Sequence, residues 1–261
     1  MTIDEPSGVG EPAPLCRSLG AAFARGGARY EQLRPGFPDA VIRWLLGDAP
    51  LRVADVGAGT GKLTRALLRA GHDVVAVDPS ADMLAQLQRA LPGVPVLVGT
   101  GEQTGLPSGR TGVEAMVYGQ AWHWVEPTAG SAEAARVLPS GGVLGLVWNV
   151  MDLEVPWVAA LNDAMHSAQA GSVAGRPDSA AAVEAPFTLD ARTDVPFVVR
   201  ATAGELARLV TTRSYYLAMD DAGRADLAGR VREQVRSTFG QDEARVVELP
   251  YVTTAFRFVR A

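Results

Sequence analysis

The sequence predicts an α/β fold, doubly wound about a mostly parallel sheet, with an antiparallel C-terminal strand and a helical cap. Three observations predict it. Short runs of Val, Leu and Ala recur between residues 51 and 148, most followed by an amphipathic stretch; apolar strands alternating with helices indicate a parallel sheet covered on both faces. A turn carrying Gly57, Gly59 and Gly61 joins the first such strand to the first such helix. Segments rich in β-branched and aromatic residues, 246–249 and 252–259, follow a largely helical region and read as the last, antiparallel edge of the sheet.

In chain order, residues 15–46 read as two helical stretches, broken at Arg34-Pro-Gly-Phe-Pro38, because proline and glycine interrupt the helical period. Strand and helix patterns then alternate as strand 51–55, helix 62–70, strand 74–77, helix 81–90 and strand 94–98. They continue as strand 113–118, helix 127–138 and strand 143–148. Beyond Trp148 the pattern changes to a helix over 157–170 and a Gly/Ala/Pro/Asp-rich stretch over 171–196 with weak periodicity. A short strand over 197–200 and helices over 204–210 and 221–239 precede the final strand, giving seven strands in all. The expected organisation is a disordered leader over 1–14, a core over 15–150, a helical cap over 151–245 and a C-terminal edge strand over 246–261.

Composition narrows the function. The chain has 261 residues, 48% hydrophobic and 20% charged, with a net charge of −5. That is ordinary for a globular protein and argues against a phosphate-backbone partner, which calls for a basic face. Cys16 is the single cysteine, so no internal disulfide or Cys-based zinc cluster can form, and a reducing cytoplasm is the expected compartment. No apolar run reaches transmembrane length and no signal pattern opens the chain.

The run Val53-Ala-Asp-Val-Gly-Ala-Gly-Thr-Gly61 carries the chemistry. Alternating glycines let a ligand approach the backbone, and the following helix aims its N-terminal amides at the same place. A dinucleotide fingerprint requires Gly or Ala where Lys62 stands, and a P-loop requires Ser or Thr where Leu63 stands, so neither matches. Asp78 ends the second strand, 17 positions after Gly61, a spacing that suits a ribose-binding carboxylate. Its other reading is an N-cap for the helix at Ala81. Met83 can pack on an adenine face or belong to the core, and Gly101-Glu102 after the third strand offers amides to an adenine edge.

Gly-x-Gly-x-Gly preceded by Asp55 resembles motif I of the class I S-adenosylmethionine-dependent methyltransferases, whose fold is Rossmann-like. Gly119-Gln-Ala-Trp-His-Trp124, Arg136-Val-Leu-Pro-Ser-Gly-Gly142, Trp148-Asn149 and Tyr30-x-x-x-Arg34-Pro-x-Phe37-Pro38 are similar to methyltransferase type 11 members related to trans-aconitate methyltransferase. The resemblance spans residues 17–258 and implies S-adenosylmethionine as cofactor. It places cofactor contacts at Asp55, Gly57, Ala58, Gly59, Gly61, Asp78, Pro79, Met83, Thr100, Gly101, Glu102 and Gln120. The Gly57 and Gln120 backbones would hold the methionine moiety, and Asp55 would order the loop. Thr100 stands where the family often has Asp, which replaces a charged acceptor by a weaker one.

His123 has two readings: a catalytic general base or orienting group, or a partly buried imidazole in an aromatic wall. Trp122, Trp124 and Trp148 either wall a substrate pocket or serve as core residues, and Asn149 can donate or accept at the same mouth. Tyr30, Arg34, Arg213 and Tyr215 complete the substrate candidates; Arg34 and Arg213 suit a carboxylate. Arg17 and Arg25 read as a solvated helix face, and His72 and His166 as surface residues. The expected activity is metal-independent methylation of a small molecule, acidic or aromatic, at a hydroxyl or carboxylate oxygen, by a monomer or homodimer. Two alternatives stand: a cyclase or isomerase retaining the cofactor, and a non-catalytic binding protein on the same fold.

Overall fold

A computed structural model describes residues 35–108, 112–166, 182–213, 215–216 and 219–261. The leader, Cys16, Arg17, Arg25, Tyr30 and Arg34 lie outside them, as does most of the first helical stretch. The seven strands form one sheet in the order β3-β2-β1-β4-β5-β7-β6. They are β1 Arg52–Val56, β2 Asp73–Asp78, β3 Val96–Val98, β4 Ala115–Gly119, β5 Val143–Met151, β6 Phe187–Thr202 and β7 Val246–Arg260. The first five run parallel, β7 is antiparallel to β5, and β6 is antiparallel to β7. The helices are α1 Asp39–Leu46, α2 Lys62–Arg69, α3 Ala81–Ala90, α4 Pro127–Val137, α5 Pro156–His166, α6 Ala203–Leu209 and α7 Asp221–Phe239.

Successive residues of each central strand feed opposite cores, as the two-residue period requires. Val53, Val117, Val143 and Val147 face α1 and α2, meeting Val41, Leu45, Leu63 and Leu67. Ala54, Met116, Leu144 and Trp148 face the other way, toward Ala134, Val137 and Leu138 of α4. Trp122 and Trp148, 1% and 0% exposed, belong to this second core. Each indole, hiding ~150–250 Å², contributes about 4–6 kcal/mol before entropic losses.

The carboxyl-terminal region departs from expectation. β6 is 16 residues long rather than a short strand over 197–200. Phe187, Leu189, Ala191, Val195 and Phe197 alternate with Thr188, Asp190, Arg192, Asp194 and Pro196, the two-residue period of a strand with one solvated face, and β6 pairs with β7 along its length. β7 is not the edge of the sheet but lies inside it, between β5 and β6. Pro250 is tolerated within it because β5 ends opposite Tyr251, leaving the proline with β6 as its only neighbouring strand. The true edge is β6, where exposed Asp190, Arg192, Asp194 and Pro196 discourage further strand addition. Likewise β3 starts at Val96 rather than Val94, since Pro95 has no N–H for the ladder.

Beyond the carboxyl end of β5, β6 and β7 continue as a two-stranded ribbon. Helices α5, α6 and α7 pack on it through a separate core of Val158, Leu161, Leu206, Leu227, Val231 and Leu249. This helical unit thus stands on the side of the sheet where the parallel strands end. No helix among the described residues is long and apolar enough to cross a membrane.

Candidate cofactor and substrate site

Strand order reverses at β1, whose neighbours are β2 on one side and β4 on the other. A crevice opens where the carboxyl ends of such strands diverge. The glycine loop sits there, with Gly57, Gly59 and Gly61 at φ of 73°, 54° and 89°, left-handed values that disfavour side chains. A Cβ at Gly57 would stand 2.5 Å from that of Ala121 after β4, and one at Gly61 would stand 2.9 Å from Leu87 of α3. A Cβ at Gly59 would meet nothing within 4 Å. Two of the glycines therefore seat the loop against its neighbours, and the third leaves room above it.

Asp78 binds the loop from β2. Its Oδ2 accepts from the Gly59 amide at 2.8 Å, and its Oδ1 accepts from the Ser80 amide at 2.8 Å. The N-cap of α3 is Ser80, whose hydroxyl accepts from the Met83 amide at 3.3 Å. Burial pushes the Asp78 carboxyl upward, against the two amides that favour its charged form. The Gly57 and Ala58 amides both donate to the Val77 carbonyl, at 2.8 and 3.0 Å, which completes the seam between loop and β2. Pro79 continues from this seam, and Met83 is buried in the first turn of α3.

Asp55 is fully buried one residue before the end of β1. Its Oδ2 accepts from the Thr64 hydroxyl at 2.5 Å, while Oδ1 has no partner. Desolvation raises its pKa to about 7, against the Thr64 bonds and assisted by the nearby Asp78 charge. A buried carboxylate oxygen without a donor is costly in its charged form, which is the reason its proton is held more tightly.

Gln120, just after β4, has φ 58°, the one positive value on a non-glycine among the described residues. Its amide donates to the Val147 carbonyl at 2.8 Å and its Nε2 to the Asn149 carbonyl at 2.7 Å. These two bonds hold a backbone conformation that non-glycine residues rarely adopt. Thr100 uses its hydroxyl to accept from Gln103 within its own loop, at 3.2 Å. The Gly101 carbonyl accepts from the Tyr118 hydroxyl, and Glu102 accepts from the Glu126 amide at 2.9 Å.

The substrate candidates separate. Of the three tryptophans, Trp124 is 44% exposed and the other two are sealed in the core. Asn149 is committed within the protein: Nδ2 donates to the Gly36 carbonyl at 2.9 Å and Oδ1 accepts from the Thr253 hydroxyl at 2.7 Å. Tyr215 donates to the Met165 carbonyl within the helical unit, and Arg213 follows the short 3-10 turn after α6. His123 lies in a single 3-10 turn, Trp122–Trp124, half-buried against Trp124, and its pKa is pulled down to about 4 by desolvation.

Several residues escaped sequence reasoning. Thr64 sits nine positions after Asp55 and carried no signal of its own. Glu133 is buried and gathers the Thr104 amide and hydroxyl together with the Arg136 guanidinium; the Glu133/Arg136 spacing of three was the available clue. His72 is 4% exposed rather than a surface residue, and its Nδ1 accepts from the Leu51 amide at 3.3 Å.

Comparison with known proteins agrees with this geometry. A profile of the methyltransferase domain family matches residues 54–146, from within β1 to within β5. An uncharacterised methyltransferase of Mycobacterium tuberculosis is 38% identical over 245 residues, which cover 92% of this chain and 96% of that one. Among solved structures, one from Anaeromyxobacter dehalogenans assigned as a type II methyltransferase is 26% identical with a TM-score of 0.69, covering 87% of this chain and 97% of that chain. Geranyl diphosphate C-methyltransferase from Streptomyces coelicolor, solved with S-adenosyl-L-homocysteine, shares the fold at a TM-score of 0.54 and 15% identity, covering 97% and 100% of the two chains.

Proposed function

The chain belongs to the methyltransferase family, and from that premise we propose that it methylates an oxygen of a small molecule with S-adenosylmethionine as donor. The observation that carries this reading is the glycine loop, open above Gly59 and held from the neighbouring strand by the Asp78 carboxylate. The residues fit the cofactor. Asp55 orders the loop through Thr64, Asp78 suits the ribose hydroxyls, and the Gly57 and Gln120 backbones suit its methionine moiety. Met83 and the 100–102 loop suit the adenine.

When bound, the cofactor supplies an electrophilic methyl on a positively charged sulfur. The protein's work is then alignment, which can be worth about 7–11 kcal/mol. Gly57 and Ala121 hold the β1 and β4 loops in contact, Gln120 fixes the β4–β5 mouth, and His123 with Trp124 forms the lip on which an acceptor would rest. A small acceptor is favoured by the net charge of −5, which disfavours nucleic acid. Arg34 and Arg213 remain the proposed partners for an acidic group, with Tyr30 and Tyr215 beside them in sequence. The lone Cys16 suits a cytoplasmic setting.

Calorimetric titration with S-adenosylmethionine and then S-adenosylhomocysteine tests the reading. Binding of both near 1:1 is expected; a folded protein that takes up neither would refute it.

A further inference from the structure

His123 and Trp148 form one unit, and its chemistry limits what His123 can do. Trp148 is fully buried and its indole Nε1–H faces His123 Nδ1 at 3.5 Å. An indole nitrogen donates only, so Nδ1 must accept, and a neutral ring then carries its proton on Nε2. Moving that proton to Nδ1, or adding a second one, would set two N–H donors against each other. It would also leave the buried Trp148 donor without an acceptor, which is unfavourable. The ring contacts Trp124 and Trp148, and no charged side chain shifts its titration. Burial alone lowers its pKa to about 4, in the same direction as the indole contact. Among the described residues Nε2 has no protein partner, and the residue is half-buried. It lies two positions after Ala121, which abuts Gly57 of the cofactor loop.

We propose that His123, fixed as its Nε2–H tautomer by Trp148, donates a hydrogen bond to the methyl acceptor and does not remove a proton from it. The inference rests on the methyltransferase reading and deepens it. A group that stays neutral and keeps its one accepting nitrogen occupied can orient an oxygen lone pair but cannot serve as general base. The acceptor that suits this site is therefore already an anion when it arrives, and it needs no base from His123.

The tautomer can be read directly from long-range proton–nitrogen spectra of ¹⁵N-histidine-labelled protein between pH 5 and 8, with His123→Gln assigning the signal among the three histidines. His123 should show a protonated Nε2 and a bare Nδ1 throughout, and Trp148→Phe should raise its pKa by at least about one unit. An imidazolium forming between pH 6 and 7 in the parent protein, or a proton on Nδ1, would overturn the proposal. In parallel, S-adenosylhomocysteine release is followed with a panel of small carboxylic acids and phenols. His123→Gln, which keeps an N–H donor but no base, should retain activity within about tenfold, whereas His123→Ala should lose about 10–100-fold. Equal collapse of both variants, or an unaffected Ala variant, counts against the donor role. Failure to bind S-adenosylhomocysteine by calorimetry would instead strike the methyltransferase reading and leave the tautomer result standing.

Discussion

The amide of Gly59 donates to Oδ2 of Asp78 at 2.8 Å, across 19 residues of sequence, so one carboxylate closes the glycine loop from the neighbouring strand. The same side chain is the one proposed to hold the cofactor ribose. Asp78→Ala should therefore raise the dissociation constant for S-adenosylmethionine at least about 100-fold, the loss of charge-assisted bonds from two sources. Calorimetry on a variant shown to be folded by circular dichroism checks this; unchanged affinity would remove Asp78 from the site.

Asp55 gives the protein a pH signature. Its folded pKa, raised to about 7 from 3.8, means that the folded chain keeps a proton that the unfolded chain has released. Stability from this group falls as pH rises between those two values and is level above the higher one. Asp55→Asn removes the titration, so the difference in melting temperature should move in favour of the variant from pH 5 to pH 8. A constant difference across that range would refute the assignment.

Glu133 is expected to be structural. It accepts from Thr104 and Arg136 at four contacts; these hold its pKa below the ordinary value despite burial. Its contribution is present above pH 4.5 and is lost as pH falls through the depressed pKa. Glu133→Ala should destabilise the protein by about 2–3 kcal/mol at neutral pH, because buried Thr104 donors lose their acceptor. Urea denaturation at pH 7 measures it, and a loss below about 0.5 kcal/mol would class the cluster as surface decoration.

Asn149 joins three parts of the chain: Gly36 before α1, Gln120 after β4 and Thr253 in β7. Asn149→Ala keeps the backbone bond to Gln120 but strands the fully buried Thr253 hydroxyl. A loss of about 1–3 kcal/mol in thermal or urea unfolding is expected. Proteolysis should become faster in the segment before α1, and an unchanged cleavage pattern would show that Asn149 does not anchor it.

Much of the fold was legible because its strands are apolar throughout and its loops carry glycine. The parallel strands were placed by runs such as Val74-Val-Ala-Val77, and the cofactor loop by three spaced glycines. β6 extends beyond the expected 197–200 because the exposed Asp190, Arg192, Asp194 and Pro196 obscure the two-residue period carried by Leu189, Ala191, Val195 and Phe197. At the site, Asp55 and Asp78 could be singled out because they end apolar runs. The burial of Trp122 and Trp148, and the use of the Asn149 amide on Gly36 and Thr253, depend on contacts between residues far apart in sequence. Residue type alone could not separate a pocket wall from a core in either case.

Among the described residues β7 is the strand partner of β6, yet β6 is synthesised first. Translation at ~5–20 residues per second leaves a few seconds between completing Thr202 and completing Arg260. During that interval β5 has an open flank and β6 has nothing to pair with, while β1 to β5 can already assemble. Until β7 is complete the flank of β5 therefore stays an open strand edge, the kind that recruits other chains. Deletions that shorten β7 would prolong this stage indefinitely, producing aggregation during expression rather than a merely less active enzyme.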